Sequence, residues 1–299
     1  MGTTQGIHQD IAGRVLVVTI DKPEVKNAFD RETIGALRDM FEAVAYRDPL
    51  PVDPGKAGLP DGDQDIGYGG RYRPHVIVLR ATGDVFCSGA HLGEMKELGQ
   101  ADYQENMTAA LDMGAMFRSV RNCPAPVVAR VQGPAFGGGV GLLAACDVVV
   151  SAFRARFSFS EVRLGLVPGV IAPMVIDRIG QAAARHYFLT AEVIDGAEAH
   201  RIGLVDKLAA DGELDVLVEA TVRSLLRGGA ETLGKCKSLL EGVESLGFAR
   251  SGELAARMIA EARTGSEAQA ALESFLAKEP SPWAIDVNWS LPNSESGDR

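Results

Sequence analysis

The stretch 133-GPAFGGGVGLLAACD-147 carries five glycines, three of them consecutive, directly ahead of a run of small apolar residues. Glycine costs backbone entropy on folding, so a cluster of it marks a place where the backbone must approach a ligand or another element closely. Upstream, 126-PVVARVQG-133 has the β-branched content of a buried strand, and 147-DVVVSA-152 repeats it downstream. Between them, residues 136–146 suit a short buried helix. Strand, glycine turn, helix and strand in that order point to an α/β fold. The helix start 136-FGGGV-140 offers unobstructed N–H groups and the positive end of a helix dipole, which suit a developing negative charge. No charged side chain precedes Asp147 in this stretch, so any acid or base must come from elsewhere.

Two further strands lie N-terminal to it, 14-RVLVVTI-20 and 75-HVIVLRATG-83. The first runs into a loop, 21-DKPEVKNAF-29, and then into a helix that Asp30 can cap, with Ile34, Leu37, Met40, Phe41 and Val44 on one face. From Arg47 to Pro74 the periodicity fails: five of the chain's 14 prolines and six glycines crowd there, which predicts a long surface loop. Beyond about residue 177 the pattern is helical, over 212–228, 230–243 and 251–276, and 288–299 reads as a flexible tail. The expected organisation is a core over 1–205, a helical region over 206–287 and that tail.

Composition narrows the function. The 299 residues are 46% hydrophobic and 23% charged, ordinary values for a globular chain, and a formal net charge of −10 argues against nonspecific nucleic-acid binding. No apolar run approaches the ~18 residues of a membrane span, and the N-terminus lacks a leader-like apolar segment, so a cytoplasmic protein is expected. Cys87, Cys123, Cys146 and Cys236 have no metal or redox spacing, and His8, His75, His91, His186 and His200 have no ligand spacing; no metal and no separate cofactor is expected.

Several chemistries are weighed on these residues. A dinucleotide fingerprint fails at Leu142, and only a looser form ending at Ala144 survives. Cys87, Ser88 and His91 are close in sequence, but an orienting third partner is missing. What remains is a pair of loops: 136-FGGGV-140, and 87-CSGAH-91 after the second of the N-terminal strands, whose amides could converge on one oxygen.

Taken together, 22-KPEVKNAF-29, 86-FCSGAHLGEM-95, 126-PVVARVQGPAFGGGVGLLAACDVVV-150, 157-FSFSEVRLGLVPG-169 and 196-GAEAHRIGLVD-206 resemble the enoyl-CoA hydratase/isomerase (crotonase) superfamily over about residues 10–285. The resemblance implies an α/β spiral of ββα units with a helical C-terminal trimerisation region, and a homotrimer or dimer of trimers. It implies an acyl-CoA thioester as substrate, its carbonyl oxygen held by the amides of Ala90 and Gly138, with Gly137 beside them. Lys26, Ala28, Ala90 and Leu92 fall where the family contacts coenzyme A; His91 reads either as a loop residue with a satisfied hydrogen bond or as lining the acyl or CoA mouth. Phe275 and Lys278 match a C-terminal pair that reaches a neighbouring subunit's ligand.

The departures are informative. Of the two glutamates of typical hydratases, the first position is Gly141 here, while the second is retained as Glu161. The usual aspartate after the oxyanion-loop alanine is His91, and the usual glycine pair is replaced in 168-PGVIAPMV-175. The whole is similar to bacterial methylglutaconyl-CoA and isohexenylglutaconyl-CoA hydratases, which implies hydration of a branched or carboxylated 2-enoyl-CoA with Glu161 as acid and base. Arg163 is a candidate partner for a substrate carboxylate, if strand alternation puts it on the face of Glu161. A Δ3–Δ2 isomerase, a decarboxylase of the same fold and a non-catalytic CoA-ester-binding protein stay open as alternatives.

Overall fold

The computed structural model describes residues 6–45, 50–51, 71–285 and 287–292. Its main sheet begins with Ile7–Ala12 (β1) and Val15–Ile20 (β2), an antiparallel pair, followed by the helix Arg31–Ala45 (α1). Leu50–Pro51 (β3) pairs with Arg71–Tyr72 (β4), and the rest of the expected 47–74 loop lies outside the described residues. Next come Val76–Ala81 (β5), the helices Leu92–Leu98 (α2) and Tyr103–Arg121 (α3), and Val127–Val131 (β6). Ala135–Phe136 (β7) leads into Gly138–Ala145 (α4), then Val148–Ala152 (β8) and Arg156–Ser158 (β9). The remainder is Ala172–Thr190 (α5), Ile194–Asp195 (β10), Gly196–Arg201 (α6), Lys207–Ala209 (β11), Leu214–Leu225 (α7), Ala230–Leu246 (α8), Gly252–Thr264 (α9) and Ser266–Ala277 (α10).

Strand order in the main sheet is β1-β2-β5-β6-β8-β11, parallel from β2 onward. Its parallel strands are buried on both faces, which explains their near-continuous Val and Ile runs. One face packs against α1, α3, α4 and α5 through Leu37, Phe41, Phe117, Leu142 and Val175. The other carries Val15, Val17, Val78 and Val128 under α7. A small second sheet, β10-β9-β7, aligns Phe136 with Ser158 and so brings the glycine turn beside the segment that follows β9.

Carboxylates pin the strand starts and the C-terminal helices. Asp147 accepts from the Val127 amide (2.7 Å) and from Lys237 Nζ of α8 (2.6 Å). Asp206 accepts from the Val149 amide (2.6 Å) and from the Arg178 guanidinium of α5. Arg121 of α3 pairs with Asp177 (2.7 Å) and reaches toward Glu241 and Glu244 of α8.

Three expectations are corrected. The single helix over 251–276 is two, broken at the extended Gly265. Residues 288–292 are not a flexible tail: Trp289 is buried against the α7 face, and Arg223 and Arg80 donate to the carbonyls of Trp289 and Pro292. Residues 293–299 lie outside the described residues. Finally, Glu161–Leu164 is a turn of 3-10 helix, not a strand, so the alternation argument for Arg163 fails; Arg163 is exposed. A local hydrogen bond from the Arg163 amide to the Ser160 carbonyl accounts for the change.

Candidate active site

Two loops and one helix start meet at the carboxyl end of β5 and β6. The segment 86–90 runs alongside 134–136: the Phe86 amide donates to Pro134 O (2.9 Å), and the Phe136 amide donates to Cys87 O (2.9 Å). On its other side 26–29 is added in parallel, with Phe29 paired to Ala90. There the Ser88 amide donates to Lys26 O (3.0 Å), Phe29 to Gly89 O (2.8 Å) and His91 to Phe29 O (2.8 Å). Lys26 and Asn27 both adopt left-handed φ, 56° and 54°. Each such non-glycine residue costs about 1–2 kcal/mol, which the surrounding bonds must offset.

The glycine triplet divides its work. Gly137 has φ 49° and ψ −118°, a region closed to L side chains, and a Cβ on it would lie 3.2 Å from Glu161 Oε1. Gly139 lets α4 close onto the 86–90 loop, since a Cβ there would stand 2.6 Å from Cys87 O. Gly138, the first residue of α4, abuts the other loop: its Cβ position is 3.9 Å from Gly89 Cα and 3.3 Å from Phe29 Cδ2. The Ala90 and Gly138 amides thus belong to touching segments, and among the described residues neither donates to a backbone carbonyl.

Glu161 completes the group. The bond from the Gly137 amide to Ser158 O (3.0 Å) fixes β9 against the glycine turn and so sets the carboxylate next to it. Oε2 of Glu161 is buried and has no hydrogen-bond partner among the described residues. Burial raises its pKa above the ordinary 4.5, so it holds a proton more readily than an exposed glutamate.

Gly141 is buried one turn below Gly137 and packs closely against protein. A Cβ there would overlap Ile171 Cγ2, lie 2.9 Å from Ile171 Cβ and stand 3.2 Å from Phe117 Cζ. The two positions at which the sequence departs from the resembled pattern are therefore in contact: Ile171 fills the space that a side chain at 141 would need. Sequence reading noted both departures but had no signal that they touch.

The other expected residues are spread around this group. Ala28 is buried beside Phe29, Lys26 is exposed on the adjoining loop, His91 precedes α2, and Leu92, its first residue, is 75% exposed. Phe275 (77% exposed) and Lys278 end α10, which packs on α9 and on the Pro282–Ala284 turn; no hydrogen bond or ion pair links them to the site among the described residues. Cys87 is fully buried with its thiol pushed up to about 12, which removes it as a nucleophile. Among the described residues no three His, Cys, Asp or Glu side chains converge as a metal-ligand set, and no helix is long and apolar enough to cross a membrane.

A parallel α/β sheet whose loops bring one buried acid against a glycine-rich helix start places the chain among α/β proteins with a buried carboxylate at the carboxyl end of the sheet. Within that class the chain belongs to the enoyl-CoA hydratase/isomerase family, whose model matches residues 72–285. A Thermus thermophilus protein provisionally named an enoyl-CoA hydratase is 28% identical over 268 residues, 90% of this chain and 96% of its own length. The Alternaria alternata enoyl-CoA hydratase ACTT6 is 34% identical over 173 residues, so this chain spans 56% of its length. Among solved structures, Pseudomonas aeruginosa AtuE superposes with a TM-score of 0.82 at 30% identity, covering 94% of this chain and all of AtuE. An enoyl-CoA hydratase from Shewanella pealeana gives 0.81 at 27% identity, covering 94% and 97%. These crotonase-fold likenesses agree with the expected α/β architecture and its helical C-terminal region.

Proposed function

We propose that this enzyme adds water across the double bond of a 2-enoyl-CoA thioester, with a branched or carboxylated acyl group as the preferred class. The observation that carries the reading is the buried, unpartnered Glu161 carboxylate set against Gly137 at the start of α4. The Ala90 and Gly138 amides hold the thioester oxygen as charge develops on it, a contribution of roughly 3–4 kcal/mol per donor in acyl chemistry. Glu161 takes a proton from water and returns one to the α-carbon on the same face, so a single carboxylate does both acid and base work. Coenzyme A lies along Lys26, Ala28 and Leu92, with His91 at the mouth.

The C-terminal helices support assembly with further copies, a homotrimer or a dimer of trimers. Helices α8, α9 and α10 bury no residue; Leu240, Ile259, Leu272, Phe275 and Leu276 are exposed along them, and Phe248 is exposed in the connection between α8 and α9. Phe275 and Lys278 then meet the ligand of a neighbouring subunit.

A second reading, a Δ3–Δ2 enoyl-CoA isomerase, is favoured by Ile171 standing where a second acid would need room. Crotonyl-CoA and 3-methylglutaconyl-CoA are the test substrates, followed by loss of enoyl-thioester absorbance. Hydration of either supports the first reading. Conversion of a Δ3-enoyl-CoA without hydration supports the second. Tight CoA-ester binding with no turnover of any substrate sinks both.

A further inference from the structure

We propose that Asn27 is a positioning residue that sets the direction of the Ala90 N–H; this rests on the reading of that amide as a donor to the thioester oxygen. Ala90 belongs to no helix and no strand, so its amide direction is set by whatever holds the 82–91 segment. Asn27 is fully buried, and its side chain joins its own loop to the 82–85 turn through three hydrogen bonds. Its Oδ1 accepts from the Lys22 amide (2.8 Å), while Nδ2 donates to Thr82 O (2.8 Å) and to Val85 O (2.8 Å). Two carbonyls on one side and an N–H on the other allow only one amide orientation, and both donors are used.

The two carbonyls bracket the turn that leads from β5 into the oxyanion-type loop. From the opposite side Gln132 Nε2 donates to Gly83 O (3.0 Å), and a longer bond reaches Val85 O (3.4 Å). Asn27 also holds its own backbone at φ 54°, where the chain turns so that Lys26 O and Phe29 can bond 88–91. One side chain therefore ties the 22–29 loop that flanks Ala90 to the turn that leads into the Ala90 segment. It lies away from the acid: nothing in its bonding reaches Glu161, so it acts through the direction of a backbone amide and not through proton transfer.

Two variants separate this role from folding. Asn27→Gly keeps a residue that favours the left-handed backbone and removes all three side-chain bonds. Asn27→Asp keeps the acceptor for Lys22 and the volume but cannot donate to Thr82 and Val85. With crotonyl-CoA, kcat falls about tenfold or more in each, a share of the 10²–10³-fold loss seen when one such donor is removed entirely, while KM stays within a factor of about three. The decisive readout is the infrared carbonyl band of bound butyryl-CoA labelled with carbon-13 at the thioester carbonyl, a saturated probe that cannot be hydrated. In the unaltered protein the band lies below its solution position, and in both variants it moves back toward that position. A band shifted equally in the protein and its variants overturns the role of Asn27 and leaves the oxygen-binding reading intact. A band unshifted in the unaltered protein overturns that reading and this proposal together. A rise in KM with kcat unchanged also overturns it, since that is the mark of lost substrate binding alone.

Discussion

Gly141 and Ile171 make a quantitative test of how the site wall is built. In Gly141→Ala the added methyl overlaps Ile171 Cγ2 and lies 3.2 Å from Phe117 Cζ, in a helix whose residues from 139 to 145 are all buried. Neither neighbour is a flexible chain end, since Ile171 is β-branched at the N-terminus of α5 and Phe117 is fully buried. Overpacking of that kind costs about 1–3 kcal/mol. Ile171→Ala alone removes the obstructing atoms and leaves a cavity, at about 2–5 kcal/mol. If the two positions compete for one space, the double variant fills part of that cavity with the new methyl. Its destabilisation should fall short of the summed single effects by about 1 kcal/mol or more, a coupling expected only of residues in contact. Urea unfolding of the four proteins at one protein concentration measures it. Additivity within about 0.5 kcal/mol would refute the shared-space account.

The remaining predictions concern other parts of the molecule. Glu161→Gln should lower kcat about 10²–10⁴-fold without loss of fold, read by steady-state hydration and circular dichroism. Because burial raises the Glu161 pKa, the folded state binds its proton more tightly than the unfolded chain, so stability falls as pH rises from about 4.5 through the raised value. Glu161→Gln should therefore be more stable than the unaltered protein at neutral pH, with the gap closing below pH 4.5, as unfolding at several pH values will tell. Lys237→Met breaks the 2.6 Å pair with Asp147 and should cost about 1–3 kcal/mol in denaturant unfolding, less than a deeply buried pair because both side chains retain some exposure. Trp289→Ala should cost about 3–5 kcal/mol by the same assay, since the ring is 7% exposed against Val and Leu side chains; a flexible tail would show no effect.

Much of the fold could be read because it depends on local pattern. The four central strands and α1 announce themselves by β-branched runs and by a clean apolar stripe at Ile34, Leu37 and Phe41. Helix α3 gave no such signal: only Met116, Phe117, Ser119 and Val120 are buried, all in its last turns, and its first half is solvated. β1 is half-exposed and polar, and β7, β9 and β10 are two or three residues long, too short for a period to register. At the site, Ala90, Gly138 and Glu161 were legible as motif positions. The contact of Gly141 with Ile171 and the bonds of Asn27 to Thr82 and Val85 were not, because they join residues 30 to 58 positions apart.

The small sheet has a consequence for how the protein fails. The hydrogen bond from Gly137 to Ser158 and the short β7–β9 pairing couple the glycine turn to the chain that bears Glu161. The six-stranded sheet is paired separately from that junction, and its layer under α7 contains none of the junction's residues, whereas Ala135 and Phe157 belong to the core on the opposite face. Inactivation and unfolding are then distinct events. Under rising denaturant, turnover should vanish while the bulk of the secondary structure still stands, with acid and amide drifting apart inside an otherwise folded molecule.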